Sequence, residues 1–241
     1  MKLKTQIKNL LVDLDGTLLG NHNVPLTIDF TKRAFKHLKP YGSWTSISKT
    51  LFQIFREYEN EKATLPNHDR VVRLFSQNLN MEEAKADELL RQTVCEVFPN
   101  LKRHFFPIPG AKAFLEWAKP QYKLILATNP VWPEDIIHLR IKWAGLDPSL
   151  FESVTHAHRM HACKPKGRYY EEILEQENLE AAHTLLIGDK TSMDLPATKV
   201  GIPVFIVGET REARELKPVY ARAQAFQGGY GDLKRLLSDS K

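Results

Sequence analysis

Cysteine is scarce: Cys95 and Cys163 are the only two in 241 residues, and they stand far apart in the chain. That excludes a disulfide framework and suits a reducing compartment, so a cytoplasmic protein is expected. No stretch of about eighteen apolar residues occurs, so no membrane-spanning helix is expected. Lys2, Lys4 and Lys8 precede an apolar run that Asp13 interrupts too early for the core of a signal peptide. Lys and Arg total 34 against 29 Asp and Glu, a formal net charge of +5, yet the basic residues are scattered among acidic ones. Without a dense basic run, neither a nucleic acid nor a membrane is expected as partner. Internal repeats and low-complexity segments are also missing. What remains is ordinary for a soluble globular chain, 42% apolar and 26% charged, long enough for one good-sized domain with or without a smaller second one.

The chain changes texture twice. Residues 7–14 read as a strand, with Gly16 and Gly20 as breakers behind it. From Thr27 to about Arg103 the apolar spacing is helical throughout. Thr27 is a candidate cap for a helix through Phe30, Ala34, Phe35 and Leu38. Further helices carry Trp44 to Tyr58, Val71 to Leu79, and Ala84 to Val97, where Pro99 stops the last. The aromatics Trp44, Phe52, Phe55, Tyr58 and Phe75 fall at helix spacing and read mostly as core. After Pro107 and Pro109 strands and helices alternate: a helix at 111–119, "YKLILAT", a helix at 133–144, "FESVTHA" (151–157) and a helix at 167–178. "HTLLIGD" (183–189), a helix toward Lys199, "IPVFIV" (202–207) and a terminal helix at 233–237 follow. Such alternation predicts a Rossmann-like, doubly wound parallel sheet in an α/β core. The helical stretch predicts an inserted all-α cap domain at 20–105, dividing the core into 1–19 and 106–241.

Ligands of open α/β sheets bind beyond the carboxyl ends of the strands. Polar residues that directly follow apolar runs are therefore candidates for chemistry. The first run delivers Asp13, Asp15, Gly16 and Thr17; "LILA" delivers Thr128 and Asn129; "LLIG" delivers Asp189 and, five residues on, Asp194. Lys164 follows the 151–157 run. Asp13 and Asp189 offer hard oxygen ligands suited to Mg²⁺. Thr128, the Asn129 backbone and Lys164 offer donors to the oxygens of a phosphoryl group. An aspartate can act as nucleophile through an aspartyl-phosphate, and a second acid two residues on can move the leaving-group proton.

In order along the chain, "DLDGT" (13–17), "TN" (128–129), Lys164–Pro165 and "GDKTSMD" (188–194) resemble the four motifs of the haloacid dehalogenase-like (HAD) superfamily of phosphohydrolases. The resemblance covers 1–19 and 106–237. It implies that Asp13 is the nucleophile and an Mg²⁺ ligand, with the Asp15 backbone carbonyl a second ligand. The Asp15 side chain would be general acid and then general base. Thr128 and Asn129 would hold phosphoryl oxygens, and Lys164 would neutralise charge on Asp13 and the phosphoryl group. Asp189 would bind the metal directly, and Asp194 directly or through water. The insertion of about eighty-five residues after the first motif is similar to a helical C1-type cap. The stretch between Asn129 and Lys164 leaves no room for a large second cap.

The expected activity is Mg²⁺-dependent hydrolysis of a small phosphorylated metabolite by a monomer or homodimer. Phosphoryl transfer, as in a phosphomutase, uses the same intermediate and is the alternative; a non-catalytic phosphate-binding protein on a HAD-like scaffold is another. A C–halogen hydrolase is disfavoured, because dehalogenase members of the family lack an aspartate at the place of Asp15 and need no metal. Where many relatives carry a second proline after Lys-Pro, Lys166 and Gly167 stand here. His156, His158 and His161 precede Lys164. If extended, the segment would turn His156 and His158 to one face, but no cysteine or acid at ligand spacing completes a transition-metal set. Lining the substrate pocket and serving as ordinary loop histidines remain equally open for them. "NHNVP" (21–25) is a candidate hinge or specificity loop, and Cys163, beside Lys164, reads as a spectator thiol.

Overall fold

Every residue of Leu10, Leu11 and Val12 is buried, which only a strand with covered faces and two neighbours can achieve. The computed structural model describes residues 2–60, 63–208, 214–216 and 224–239. It opens with β1 (Asn9–Val12) and the short β2 (Leu19–Asn21). Four helices follow: α1 (Asn23–Leu38), α2 (Trp44–Tyr58), α3 (Asn67–Leu79) and α4 (Glu83–Val97). Then come β3 (Phe105–Pro107), α5 (Ala111–Ala118), β4 (Lys123–Leu126), α6 (Glu134–Trp143), β5 (Ser153–Val154) and α7 (Gly167–Glu177). The chain continues through β6 (Thr184–Gly188), α8 (Thr191–Asp194), β7 (Val204–Val207), β8 (Arg214–Leu216), β9 (Ala225–Gly228) and α9 (Tyr230–Ser238).

The main sheet has the order β5-β4-β1-β6-β7-β9-β8, parallel except for β8. Side chains alternate between its two faces. Leu10 and Val12 join Leu124, Leu126, Leu185 and Ile187 in the core beneath α5, α6 and α9. Leu11 joins Ile125, Leu186 and Val204 against Tyr169, Tyr170 and Ile173 of α7. The sheet is thus wound on both sides, as the alternation of the sequence predicts. Because β1 pairs with β4 on one side and β6 on the other, the strand order reverses there. The carboxyl ends of these three strands form the crevice in which such folds place a ligand.

The four helices between β2 and β3 match the four expected from spacing, and they enclose a small core of their own around Phe35, Leu38, Ile47, Val72, Phe75 and Leu89. The first begins earlier than expected. Its N-cap is His22, and Thr27 lies inside the helix with its hydroxyl donating to Asn23 O. Gly20 is not a breaker but a residue of β2, which pairs antiparallel with β3. A Cβ on Gly20 would stand 2.3 Å from the Phe106 ring, so the strand needs glycine for that ring to lie on it. The 151–157 run shrinks to the two residues of β5, and the segment after it turns back, with Arg159 N and Met160 N both donating to His156 O. The run expected toward Lys199 is one turn of α-helix followed by a 3-10 segment, Leu195–Val200. Residues 61–62 of the expected cap, and 1, 209–213, 217–223 and 240–241 of the expected core, lie outside the described residues.

The aromatics of the helical block divide. Phe75 is buried, whereas Trp44, Phe52 and Phe55 are exposed. α2 turns Ile47 and Thr50 inward and packs chiefly on α3, which leaves the aromatic stripe on its outer side. Phe75→Ala, at a side chain 2% exposed, is therefore expected to cost about 3–5 kcal/mol of unfolding free energy. Phe55→Ala, at one 72% exposed, should change it by no more than about 0.5 kcal/mol. Chemical denaturation of the two variants checks both.

Candidate active site

Asp13 directly follows β1, and its backbone N–H still donates to Ile187 O of β6, so the carboxylate leaves the chain at a point held by the sheet. It is buried. Its Oδ1 accepts from Lys164 Nζ at 2.8 Å and its Oδ2 from the Thr17 hydroxyl at 3.3 Å. The same ammonium donates to Asp194 Oδ1 at 2.8 Å, so Lys164 sits buried between two carboxylates. The second oxygen of Asp194 accepts from Lys190 N at 3.1 Å. A Cβ on Gly188 would stand 2.2 Å from Asp194 Oδ2, and glycine at the end of β6 leaves the space for that carboxylate.

Burial pushes the Asp13 carboxyl up to about 7, with Asp194 and Asp15 adding to the rise and Lys164 opposing it. For Lys164, burial works against the charge, but Asp13 and Asp194 outweigh it and hold the ammonium protonated well above its usual range. The cluster Asp13–Lys164–Asp194 therefore carries more potential negative charge than positive. Asp189, at the end of β6, is half-buried and raised too, mainly by burial. No described residue forms an ion pair with it. Gly16 has a positive φ of 83°, and a Cβ there would fall 2.0 Å from Asp189 Oδ2, which sets that carboxylate directly against the backbone that follows Asp15.

The carboxylates of Asp13 and Asp189 thus follow the paired strands β1 and β6 at one end of the sheet, with the backbone after Asp15 against Asp189. Two hard carboxylates and a carbonyl suit Mg²⁺, which keeps several waters and needs no closed protein cage. Asp194 stands behind Lys164 with both oxygens engaged by the protein. Among the described residues no three His, Cys, Asp or Glu side chains form a metal cluster.

Thr128 and Asn129 lie in the same crevice, beyond β4. Thr128 is buried, and its carbonyl accepts from the Tyr169 hydroxyl at 2.8 Å and the Thr155 hydroxyl at 2.6 Å. The Asn129 side chain accepts from Lys164 N at 3.1 Å, so it also fixes the lysine backbone. The Asp15 side chain takes a different direction: its Oδ1 accepts from the guanidinium of Arg140 on α6.

The three histidines go to three separate partners. His161 Nδ1 lies 2.6 Å from Glu172, His156 Nε2 lies 3.6 Å from Glu134, and the His158 ring stacks on His68 of α3 at 3.9 Å. Burial pushes the Cys163 thiol up to about 12, a resting state unlike that of a reactive cysteine.

A sequence model of the family described as haloacid dehalogenase-like hydrolase matches residues 7–200. The chain belongs to this family. The structure of this HAD-like hydrolase is similar to that of a 2-haloacid dehalogenase from Pseudomonas syringae, with 17% identity, 97% of this chain and 99% of that one covered, and a TM-score of 0.65. It is similar to a HAD phosphatase from Thermococcus onnurineus, with 22% identity, 97% and 99% covered, and a TM-score of 0.57. It is also similar to YfnB from Bacillus subtilis in a magnesium-bound form, with 18% identity, 97% and 99% covered, and a TM-score of 0.55. No curated protein matches the sequence.

Several residues of the HAD-like site escape a reading by strand ends. Arg140 interrupts the apolar stripe of its helix, one turn after Ile136, and that interruption was the available signal. Tyr230 donates from α9 to Thr17 O at 2.6 Å and braces the turn after Asp13 from the far end of the chain. Asn67, wholly buried at the start of α3, donates to Pro130 O at 3.0 Å, while its backbone N–H donates to Met160 O at 2.8 Å. These bonds tie the helical block to the loops that follow β4 and β5.

The raised Asp13 sets a stability profile. Its carboxyl titrates near 7 in the folded chain and at the ordinary 3.8 when unfolded, so its contribution is full below 3.8 and is lost as pH rises through about 7. Lys164→Met removes the cation between Asp13 and Asp194 and is expected to cost about 3–5 kcal/mol at pH 8. Part of that loss should return at pH 5, where Asp13 can hold a proton. Denaturant unfolding without divalent metal, at both pH values, checks the size and the sign.

Proposed function

We propose that this HAD-like hydrolase is a Mg²⁺-dependent phosphomonoesterase that acts through an aspartyl-phosphate on Asp13. One observation carries the reading: a buried carboxylate held by Lys164 and Thr17 is followed, two residues on, by a second acid that is not part of the same ion-pair cluster. A nucleophile and a proton carrier need that separation of environments. The structural likeness to a phosphatase, and to YfnB with magnesium, is compatible with it. The dehalogenase likeness is one of fold. Asp15, which the family's dehalogenases do not carry, favours phosphate.

An Asp13 oxygen attacks phosphorus, the bond from phosphorus to the leaving oxygen breaks, and Asp15 delivers its proton to that oxygen. Asp15, now a carboxylate, takes a proton from water as the water attacks phosphorus, and Asp13 leaves with the electron pair of the broken bond. Lys164 holds Asp13 in place and offsets charge at the transferring group, while Thr128 and the Asn129 backbone donate to the phosphoryl oxygens. Mg²⁺ held by Asp13, Asp189 and the Asp15 carbonyl, with Asp194 in support, would neutralise phosphoryl charge. In this reading residues 20–105 form a cap over a core of 1–19 and 106–241, and a small phosphorylated metabolite reacts between them with bulk water excluded.

A panel of phosphate esters with Mg²⁺ tests the proposal. Phosphate release is expected, with free phosphate rather than an isomeric ester as product, and EDTA should abolish it. Asp13→Asn should lower turnover by at least about a thousandfold, the scale of a lost nucleophile. Wild-type rates in Asp13→Asn, or activity that survives EDTA, would refute the assignment.

A further inference from the structure

Helix α6 buries Ile136, Ile137, Arg140 and Ile141 on one face. A buried guanidinium is costly unless a partner repays its desolvation, and packing alone on this isoleucine face would be better served by an aliphatic side chain. Arg140 is 4% exposed, and its Nη2 donates to Asp15 Oδ1. Its head group lies over the Phe105 ring of β3, 5.7 Å from the centroid, and its Nε is buried without a partner. The arginine therefore forgoes part of its own hydrogen bonding to reach one carboxylate oxygen, 125 positions away in the chain. The other oxygen of Asp15 accepts no hydrogen bond from any described residue.

We propose that Arg140 is the positioning residue of Asp15. From the α6 side it clamps Oδ1, so the carboxyl cannot rotate freely and Oδ2 is the oxygen that carries the proton. Without the clamp Asp15 still lies beside Asp13 in sequence, but its oxygens sample several directions, and proton delivery to the leaving oxygen loses its fixed geometry. Phe105 extends the clamp into the β2–β3 pair through which the chain leaves and rejoins the sheet domain. The inference rests on the phosphatase reading, in which Asp15 moves the leaving-group proton.

Arg140→Met keeps length and packing on Phe105 while removing the donors. Two esters separate positioning from general damage: an alkyl phosphate, whose leaving oxygen needs a proton, and p-nitrophenyl phosphate, whose leaving group does not. Arg140→Met is expected to lower kcat/KM for the alkyl phosphate by about 30-fold and for p-nitrophenyl phosphate by less than about 3-fold. In an Asp15→Asn background the same change should add less than about 2-fold. Arg140→Lys, which restores one donor, should recover part of the alkyl phosphate rate, and it carries the comparison if the methionine variant does not fold. Equal losses on both esters, or losses that multiply with Asp15→Asn, overturn the proposal. Denaturant unfolding of the wild type, Arg140→Met, Asp15→Asn and their double variant supplies an arm that needs no turnover. Midpoint shifts of Arg140→Met and Asp15→Asn that fail to add support the clamp, and additive shifts overturn it. If the wild type hydrolyses neither ester, it is the phosphatase reading that fails, and the unfolding cycle still decides the clamp.

Discussion

A single buried ammonium holds the site together. Lys164 lies 2.8 Å from both Asp13 and Asp194, and these residues come from the loop after β5, the end of β1 and the helix after β6. Three ionisable groups buried together are costly, and they persist because each cancels part of another's charge. The pairing also sets the limits of the arrangement: one cation between two carboxylates leaves Asp13 short of full neutralisation, which is why burial lifts its carboxyl so far. Asp189, which follows the neighbouring strand β6, is a further half-buried carboxylate without an ion-pair partner among the described residues.

The rest of the fold serves that point. Reversal of strand order at β1 brings three strand ends together, and helices cover both faces of the sheet behind them. Gly16 and Gly188 sit where a Cβ would collide with Asp189 and Asp194, so the carboxylates approach the backbone as closely as chain chemistry permits. Asn129 and Tyr230 hold backbone groups of Lys164 and Thr17 from opposite sides. The result is a set of acids divided between environments: Asp13 and Asp194 share Lys164, Asp189 faces the turn at Gly16, and Asp15 pairs with Arg140.

What could be read from the sequence was whatever depends on local pattern. Buried runs such as Leu10–Val12 and Leu185–Ile187 announce strands, and the polar residues behind them announce the crevice. The four helices of the inserted block follow from spacing alone. The three-residue strands β2 and β3 leave no periodic trace, β9 has no expected counterpart, and β5 is only the two-residue core of the run expected at 151–157. Spacing does not show which side of α2 is covered, so it reads Trp44, Phe52 and Phe55 as core, whereas the helix buries Ile47 and Thr50. Long-range partners were the least legible. Nothing local ties Arg140 to Asp15, Asn129 to the Lys164 backbone, or the three histidines to Glu134, His68 and Glu172.

The central claim is that Asp13 becomes covalently phosphorylated. The most direct measurement is borohydride trapping during turnover of p-nitrophenyl phosphate with Mg²⁺, followed by peptide mass spectrometry. Hydride reduction of an aspartyl-phosphate expels phosphate and leaves homoserine, and the account predicts homoserine at position 13 and nowhere else. Homoserine at another aspartate, or full turnover with residue 13 still aspartate after trapping, would contradict it.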